Sequence, residues 1–314
     1  MAEAERKGLI FDIERFSTVD GPGIRTVTFF KGCNMKCLWC HNPEGICRQS
    51  SLLFTKERCI GCGECFRICP RQAHRMGNNG HVIDRKRCNK CFACVDECPA
   101  NALERSGKPW TVEALCKELM QDKRYFHNSG GGVTLSGGEM MCQVNFAQAV
   151  LKALHSEKIH TAVETNLSFP LIQYEKLRPY LDLLIFDIKC IDDDKHRQGT
   201  GITNETILKN VSALTNPPWN TMPLIVRTAI IPSFNDSPDE IFRIAAMLSK
   251  HTQLRYYELL AYHPLGIEKS IKLGGKTQRR FEVPTHEQML MLAEAAAEVL
   301  GHVRVNGKEI RKGR

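Results

Sequence analysis

The sequence predicts an α/β fold: a partial (β/α)6 barrel built from residues 1–48 and 107–314, with an inserted cysteine-dense domain at 49–106. Three observations predict it. Apolar runs alternate with helical patterns through six β/α units. One run, 183–188, is continuously apolar, as a parallel strand buried on both faces must be. Polar residues gather at the C-terminal ends of several strands, where barrel enzymes place their chemistry.

The elements follow in order. Residues 24–30, rich in Val, Thr and Phe, read as a strand that ends at Gly32-Cys33. Beyond the insert, Val112, Leu115 and Leu119 share a helix face, and 132–135 is a strand. Phe146, Val150 and Leu154 mark the next helix, before the strand 161–165 and the apolar run 183–188. Ile207, Val211 and Leu214 give a helix, and 224–231 a strand. The helix 237–249 opens with Ser237-Pro238-Asp239-Glu240, a proline in the first turn and acids near the N-terminus. A sixth strand at 256–261 and a helix at 285–300 complete the pattern.

Composition bounds the function. With 314 residues, 42% hydrophobic, the chain can bury one large core and a smaller companion. The 15 cysteines are odd in number and cluster at tight spacings, which favours metal ligation over disulfides. No signal-like segment and no membrane-length apolar run is present, so a reducing, oxygen-poor cytoplasm is expected. The formal charge of +8 suggests nucleic acid at first sight. Ligating thiolates and oxidised clusters would bring the loaded chain to roughly +3. The basic residues are scattered apart from a tail at 308–314, read as a solvated end, so nucleic-acid binding is not expected.

The insert holds Cys59-x2-Cys62-x2-Cys65-x3-Cys69-Pro70 and then Cys88-x2-Cys91-x2-Cys94-x3-Cys98-Pro99. This is the bacterial ferredoxin run, present twice, and predicts a ferredoxin-like domain with two [4Fe–4S] clusters. Three close thiolates wrap one cube, and the fourth cysteine of each run reaches across to the other cluster. Cys59, Cys62, Cys65 and Cys98 would hold one, and Cys88, Cys91, Cys94 and Cys69 the other. Zinc knuckles need neither the doubled run nor the trailing prolines. Whether such clusters relay electrons or serve as scaffold stays open at this level.

Cys33-x3-Cys37-x2-Cys40 is a different object. Three thiolates can ligate three irons of a cube and leave the fourth iron open to an exogenous ligand. Taken alone, the three cysteines also suit a zinc site completed by His41. Their surroundings favour the cluster. The motif after a strand in a β/α repeat resembles the radical S-adenosylmethionine superfamily. More narrowly, the chain is similar to the glycyl-radical enzyme activating enzymes. The residues that carry this are Thr18-Val19-Asp20-Gly21-Pro22-Gly23-Ile24-Arg25, Phe29-Phe30-Lys31-Gly32-Cys33 and Trp39-Cys40-His41-Asn42-Pro43, then Ser129-Gly130-Gly131-Gly132-Val133-Thr134-Leu135-Ser136-Gly137-Gly138-Glu139, Glu164-Thr165-Asn166, Asp187-Ile188-Lys189 and Tyr262-His263-Pro264-Leu265-Gly266. The resemblance covers nearly the whole chain. The short activases of pyruvate formate-lyase lack the insert, which many other activases carry.

The resemblance implies a reaction and a set of roles. S-adenosylmethionine would chelate the open iron through its amino and carboxylate groups. Reductive cleavage would release methionine and a 5′-deoxyadenosyl radical, which abstracts a hydrogen from a glycine α-carbon of a partner glycyl-radical enzyme. Trp39, Cys40 and His41 would be among the cofactor contacts. Gly137, Gly138 and Glu139 would clamp the methionine amino group, glycines allowing close approach and the carboxylate accepting from an ammonium. Arg227 would reach the cofactor carboxylate. Asp187 and Lys189 flank Ile188 and, by strand alternation, share the face opposite it. Asp187 and Lys189 are assigned to the ribose and sulfonium region, Ile188 is counted with them among the cofactor-binding residues, and His263 is assigned to a sugar or adenine contact. Asp187, Glu164 and Thr165 would lie near a monovalent cation, although the short activases have Asp where this chain has Glu164. Asp20, Gly21, Pro22 and Gly23 would dock the partner's glycine-bearing loop through backbone hydrogen bonds. A flavodoxin or ferredoxin-type protein would supply the electron, and the chain is expected to be a monomer.

Cys47, Cys116, Cys142 and Cys190 fall outside every motif and read as packing residues. Asp192-Asp193-Asp194 reads as a solvated turn, since no calcium-loop pattern accompanies it. Two rivals remain. A radical enzyme acting on a small molecule or peptide would keep the three-cysteine site without needing Asp20-Gly21-Pro22-Gly23. An electron carrier would leave Gly137-Gly138-Glu139 unexplained.

Overall fold

The computed structural model describes residues 3–78, 80–275 and 279–310. Residues 311–314 of the expected basic tail lie outside that range. The strands are β1 (Lys7–Ser17), β2 (Arg25–Phe30), β3 (Ser51–Phe54), β4 (His74–Gly77), β5 (Gly80–Ile83), β6 (Leu103–Ser106) and β7 (Lys108–Thr111), followed by β8 (Gly132–Gly137), β9 (His160–Thr165), β10 (Leu183–Asp187), β11 (Leu224–Ile230), β12 (Leu254–Ala261), β13 (Val303–Val305) and β14 (Lys308–Ile310).

Ten of them form one sheet in the order β14-β13-β12-β11-β10-β9-β8-β2-β1-β7. From β2 to β13 every neighbouring pair is parallel, while β1, β7 and β14 attach antiparallel at the two ends. The six strands expected from sequence are β2 and β8–β12. The sequence reading missed β1, whose run Asp12-Ile13-Glu14-Arg15 carries charge into a strand, and the short β7, β13 and β14. No helix of the described residues is long and apolar enough to cross a membrane.

Each parallel strand lies beside its predecessor, so right-handed crossovers put the helices on one face. That face holds the large core: Leu135, Val163, Leu184, Phe186 and Val226 pack with Phe146, Val150, Leu154, Ile207, Val211 and Ile241 from the helices. Helix ends obey local chemistry. Ser237 accepts from the Glu240 amide at 3.2 Å, and Asp192 accepts from the Lys195 amide at 2.8 Å. Asp192 is therefore a helix N-cap for Asp193–Thr200 rather than part of a free turn.

The opposite face changes character along each strand. Ala162, Leu183, Ile185 and Ile225 form a small apolar cluster with Tyr256. Two residues further on, the same face carries Glu164 after Ala162, Asp187 after Ile185, Arg227 after Ile225 and Glu258 after Tyr256. The period of two guarantees this stacking once the strands are in register.

The insert is thin by comparison. β3 and β6, near its two ends, pair with each other, and β4 and β5 form a hairpin. Its apolar cluster contains Leu52, Ile83, Cys94 and Leu103, with Cys65, Cys88 and Cys98 packed against it. Lys31 links it to the sheet: its buried ammonium donates to the Glu44 carbonyl at 2.6 Å and to Ser51 Oγ at 3.2 Å. Gly107, at φ +94°, leaves the space that the Lys31 chain fills, since a Cβ there would lie 2.2 Å from Lys31 Cδ.

Candidate active site

The loop bearing Cys33, Cys37 and Cys40 is pinned by backbone hydrogen bonds from three directions. Gly32 and Cys33 amides donate to the carbonyls of Gly45 (2.7 Å) and Ile46 (3.1 Å). Lys36 and Leu38 amides donate to Thr200 (2.7 Å) and Gly199 (2.9 Å) at the end of a helix. From β8, the amides of Gly138 and Glu139 donate to Phe30 (2.8 Å) and Gly32 (2.7 Å). That crossing needs glycine: at Gly137, φ +113°, a Cβ would lie 2.3 Å from the Phe30 nitrogen, and at Gly138 it would lie 2.5 Å from two carbonyl oxygens. The Gly137-Gly138 pair thus has a packing role against the cysteine loop, besides lining the site.

All three cysteines line a cavity of about 730 Å³ on the charged face of the sheet, with Trp39, His41, Asp187, Lys189 and His263. This is ample for a small-molecule cofactor. Trp39 is buried against Phe234, ring centroids 4.6 Å apart. His41 and His263 meet edge to face at 4.3 Å. Burial drives the His41 pKa down to about 4, helped by His263 and Lys269. Burial also pushes the thiols up, Cys40 to about 12, and metal binding would be what releases their protons.

A tetrahedral zinc ion would gather its ligand atoms to within about 4 Å of one another. Among the described residues, only Cys65, His74 and His81 form such a group, with ligand atoms all within 4.8 Å. Among the described residues, Cys33, Cys37, Cys40 and His41 do not form such a group. The donor set, three sulfurs on one short loop at a cavity, fits a cube with one open iron.

Asp187 and Lys189 face the cavity together as alternation requires, paired at 3.0 Å. Burial opposes the Lys189 charge, but Asp187 and the nearby Cys37 thiol outweigh it, holding the ammonium above its ordinary value. Ile188 instead packs in the helix-side core, so its side chain does not reach the cavity.

Three expected cofactor contacts are already engaged by protein. Glu139 turns away from the cavity: its carboxylate accepts from the amides of Asn166 (2.7 Å) and Met141 (3.1 Å) and from Thr165 Oγ1 (2.9 Å). Burial still raises its pKa to about 7. Arg227 is buried and its fork is shared among Glu164 (2.7 Å), Glu258 (3.2 Å), Asp20 (3.7 Å) and the Val19 carbonyl. Glu164 spends one oxygen on Arg227 and the other on Ser136 Oγ at 2.5 Å. Burial opposes its charge, yet Arg227 and Ser136 lower its pKa on balance. Two of the three expected cation donors are thus held by protein, Glu164 by Arg227 and Thr165 by Glu139, while Asp187 pairs with Lys189.

The Asp20–Gly23 turn is likewise anchored. Thr134 Oγ1 donates to the Asp20 carbonyl at 2.8 Å, and buried Arg25 donates to the Pro22 carbonyl at 3.2 Å. Burial and the charge of Glu164 push the Asp20 pKa up. Asp20 lines the cavity, whereas Gly21, Pro22 and Gly23 are not part of its lining. The Thr134 anchor was not visible in the sequence, because it lies over 100 residues away.

In the insert, a second cavity is lined by Cys59, Cys62, Cys65 and Cys98. The thiol of Cys65 feels Cys59, Cys62 and Cys98, and that of Cys94 feels Cys88, Cys65, Cys69 and Cys91. Cys65 of the first foursome also acts on Cys94 of the second, so the two sets lie side by side. Of the remaining cysteines, Cys116 and Cys190 are buried, Cys142 meets Arg48 at 3.6 Å, and Cys47 is exposed rather than packed.

Known proteins agree with this arrangement. A 4Fe-4S dicluster domain matches residues 51–99, and a 4Fe-4S single cluster domain matches 19–66. The chain is 37% identical over 298 residues to the isethionate sulfite-lyase activating enzyme of Nitratidesulfovibrio vulgaris, covering 90% of this chain and 96% of that one. It is 37% identical over 279 residues to the 4-hydroxyphenylacetate decarboxylase activating enzyme of Clostridioides difficile, covering 87% of each. In fold alone it is similar to Streptococcus suis SuiB bound to precursor peptide SuiA, with TM-score 0.51 and 11% identity over 88% of this chain and 46% of that one. Three cysteines poised for an open cluster, a doubled ferredoxin run and full-length relatives of one kind agree: the chain belongs to the glycyl-radical enzyme activating enzymes of the radical S-adenosylmethionine superfamily.

Proposed function

We propose that this activase works at a [4Fe–4S] cluster held by Cys33, Cys37 and Cys40, with two further clusters in the insert at Cys59/Cys62/Cys65/Cys98 and Cys88/Cys91/Cys94/Cys69. When bound, cluster and S-adenosylmethionine supply a 5′-deoxyadenosyl radical, which takes a hydrogen from a glycine of the partner enzyme. The observation that carries this is the three-cysteine loop itself, all three thiols of which line the 730 Å³ cavity.

The remaining residues position and shield. Gly137 and Gly138 let the β8 turn close on the cysteine loop, with their backbone beside the cofactor's amino group. Glu139 holds that turn to the end of β9. Lys189, kept protonated by Asp187, would face the bound cofactor with His41, Trp39 and His263. Arg227 orders Glu164, Glu258 and the Asp20 turn rather than meeting the cofactor carboxylate. With Val19, Asp20 and Pro22 carbonyls engaged, a docking glycine loop would meet the other backbone groups of that turn. We further propose that the sheet curls into a partial barrel around this cavity. The chain would act as a cytoplasmic monomer, taking its electron from a flavodoxin or ferredoxin-type donor.

The test is anaerobic reconstitution followed by iron counting and cofactor cleavage. The parent should hold about twelve irons per chain. The triple variant Cys33→Ala, Cys37→Ala, Cys40→Ala should lose about a third of them and all 5′-deoxyadenosine formation. Continued 5′-deoxyadenosine production by that variant would place the reactive cluster elsewhere. With the partner enzyme encoded beside it, the parent should generate a glycine-centred electron paramagnetic resonance signal, and silence there would favour a small-molecule substrate.

A further inference from the structure

Two histidines stand against the first insert site with no role in the reading above. His74 on β4 and His81 on β5 are both buried, in a hairpin whose strands are in register. His74 Nδ1 lies 2.8 Å from His81 Nε2. His81 Nδ1 lies 3.7 Å from Cys59 Sγ, and its Nε2 lies 3.9 Å from Cys65 Sγ. The rings of Phe54 and Phe66 flank His81, with centroids at 4.6 and 5.1 Å, and hold its plane. The adjoining cavity has four cysteines and an almost wholly apolar wall, including Phe54, Phe66, Met76 and Leu103, which suits a cluster and leaves few other polar groups to meet its sulfurs.

Bonding rules fix the direction of this chain. A thiolate bound to iron has lone pairs and no hydrogen, so the His81 nitrogen nearer a ligating sulfur, Nδ1 at 3.7 Å from Cys59, carries the N–H. The closer contact of Nε2, 2.8 Å to His74 Nδ1 against 3.9 Å to Cys65 Sγ, needs one donor and one acceptor. His81 Nε2 is then a lone pair, and it accepts from His74 Nδ1–H.

We propose that His81, oriented by His74, donates a hydrogen bond from Nδ1 to the Cys59 thiolate and thereby raises the reduction potential of the first insert cluster. An N–H directed at a ligating sulfur stabilises the more negative, reduced state. Backbone amides treat the two sites alike: Ala102 donates to Cys98 and Ala73 to Cys69, each at 3.3 Å. The imidazole donor falls on the first site, so a change there should move one cluster and leave the other.

This inference rests on the insert clusters proposed above, and its test does not involve the activation reaction. The full chain carrying Cys33→Ala, Cys37→Ala and Cys40→Ala is reconstituted so that only the insert clusters report. It is then titrated one electron at a time with paramagnetic resonance detection. His81→Val should shift one cluster to lower potential with iron content and the other cluster unchanged. His81→Asn, whose amide nitrogen can take the place of Nδ1, should restore most of the shift. His81→Gln, which mimics Nε2, should not. His74→Phe should give a smaller shift in the same direction. With ¹⁵N-histidine, pulsed measurements should show a nitrogen coupling to one reduced cluster that disappears in His81→Val. Unmoved potentials with full iron content would overturn the proposal. So would loss of four irons in both His81→Val and His81→Asn, which would make His81 a ligand, or a single metal ion bound by Cys65, His74 and His81. Absence of both insert signals from the parent would overturn the cluster reading itself, and this inference with it.

Discussion

The three-cysteine loop rests on an apolar core that extends across the parallel sheet, from Phe30 and Leu135 to Leu259 and Val303. The eight-cysteine insert has only Leu52, Ile83, Cys94 and Leu103 at the centre of its cluster, and most of what packs around them is cysteine or aromatic. One site is a loop pinned onto a finished scaffold. The other is a scaffold whose interior is the metal site. The difference teaches that cysteines of similar spacing can depend on metal in different ways. A buried apolar core stabilises the sheet whether or not iron is present. The insert, with so little to bury, draws its folding free energy from ligation.

Removing iron should break this comparison open, and it carries the largest expected effect. Anaerobic chelation should unfold 49–106 while the sheet stays folded. Hydrogen exchange would then show full loss of protection at β3–β6 and retained protection at β8–β12. Equal loss in both regions would mean that the sheet also depends on its cluster.

A second change probes the sheet alone. Arg227→Met removes the one cation shared by Glu164, Glu258 and Asp20. Leaving buried carboxylates unpaired should destabilise the sheet by about 3–5 kcal/mol, read from urea unfolding through the buried Trp219. Arg227→Lys should recover little, since a single ammonium cannot span the acceptors of a fork.

The smallest effect is a pH dependence. Burial raises the Glu139 carboxyl to about 7, whereas an unfolded glutamate titrates at about 4.3. As pH rises, the unfolded chain gives up this proton first, so the folded state binds more protons in between. Stability of the iron-free sheet should therefore fall between about pH 4.5 and 7, by up to ~3 kcal/mol. In Glu139→Gln that slope should flatten. A slope unchanged by the substitution would assign it to other groups.

Much of the site could be read without coordinates, for identifiable reasons. Asp187 and Lys189 share a face because strands alternate, and they do pair. Gly137 and Gly138 mark close backbone approach, and the Phe30 and Gly32 backbone is what approaches. What could not be read has a common cause. Glu139, Arg227 and Glu164, expected to reach for cofactor or cation, each meet protein groups from other segments. Ile188, counted among the cofactor-binding residues, packs its side chain in the helix-side core, on the face that alternation gives it. β1 was missed because Asp12, Glu14 and Arg15 obscure its strand pattern near the edge of the sheet.

The sequence by itself pointed to the metal chemistry, because three ligands of each expected cluster lie within about eight residues of one another and their spacing is a local property. It determined the parallel architecture as well, through repeated apolar periodicity. Only the tertiary structure decided which charges meet. Arg227 gathers Asp20, Glu164 and Glu258 across more than 200 residues of chain, and Thr165 and Asn166 claim Glu139 from the next strand. Those pairings depend on strand register and on the inward stacking of side chains across neighbouring strands, which exist only once the sheet has formed.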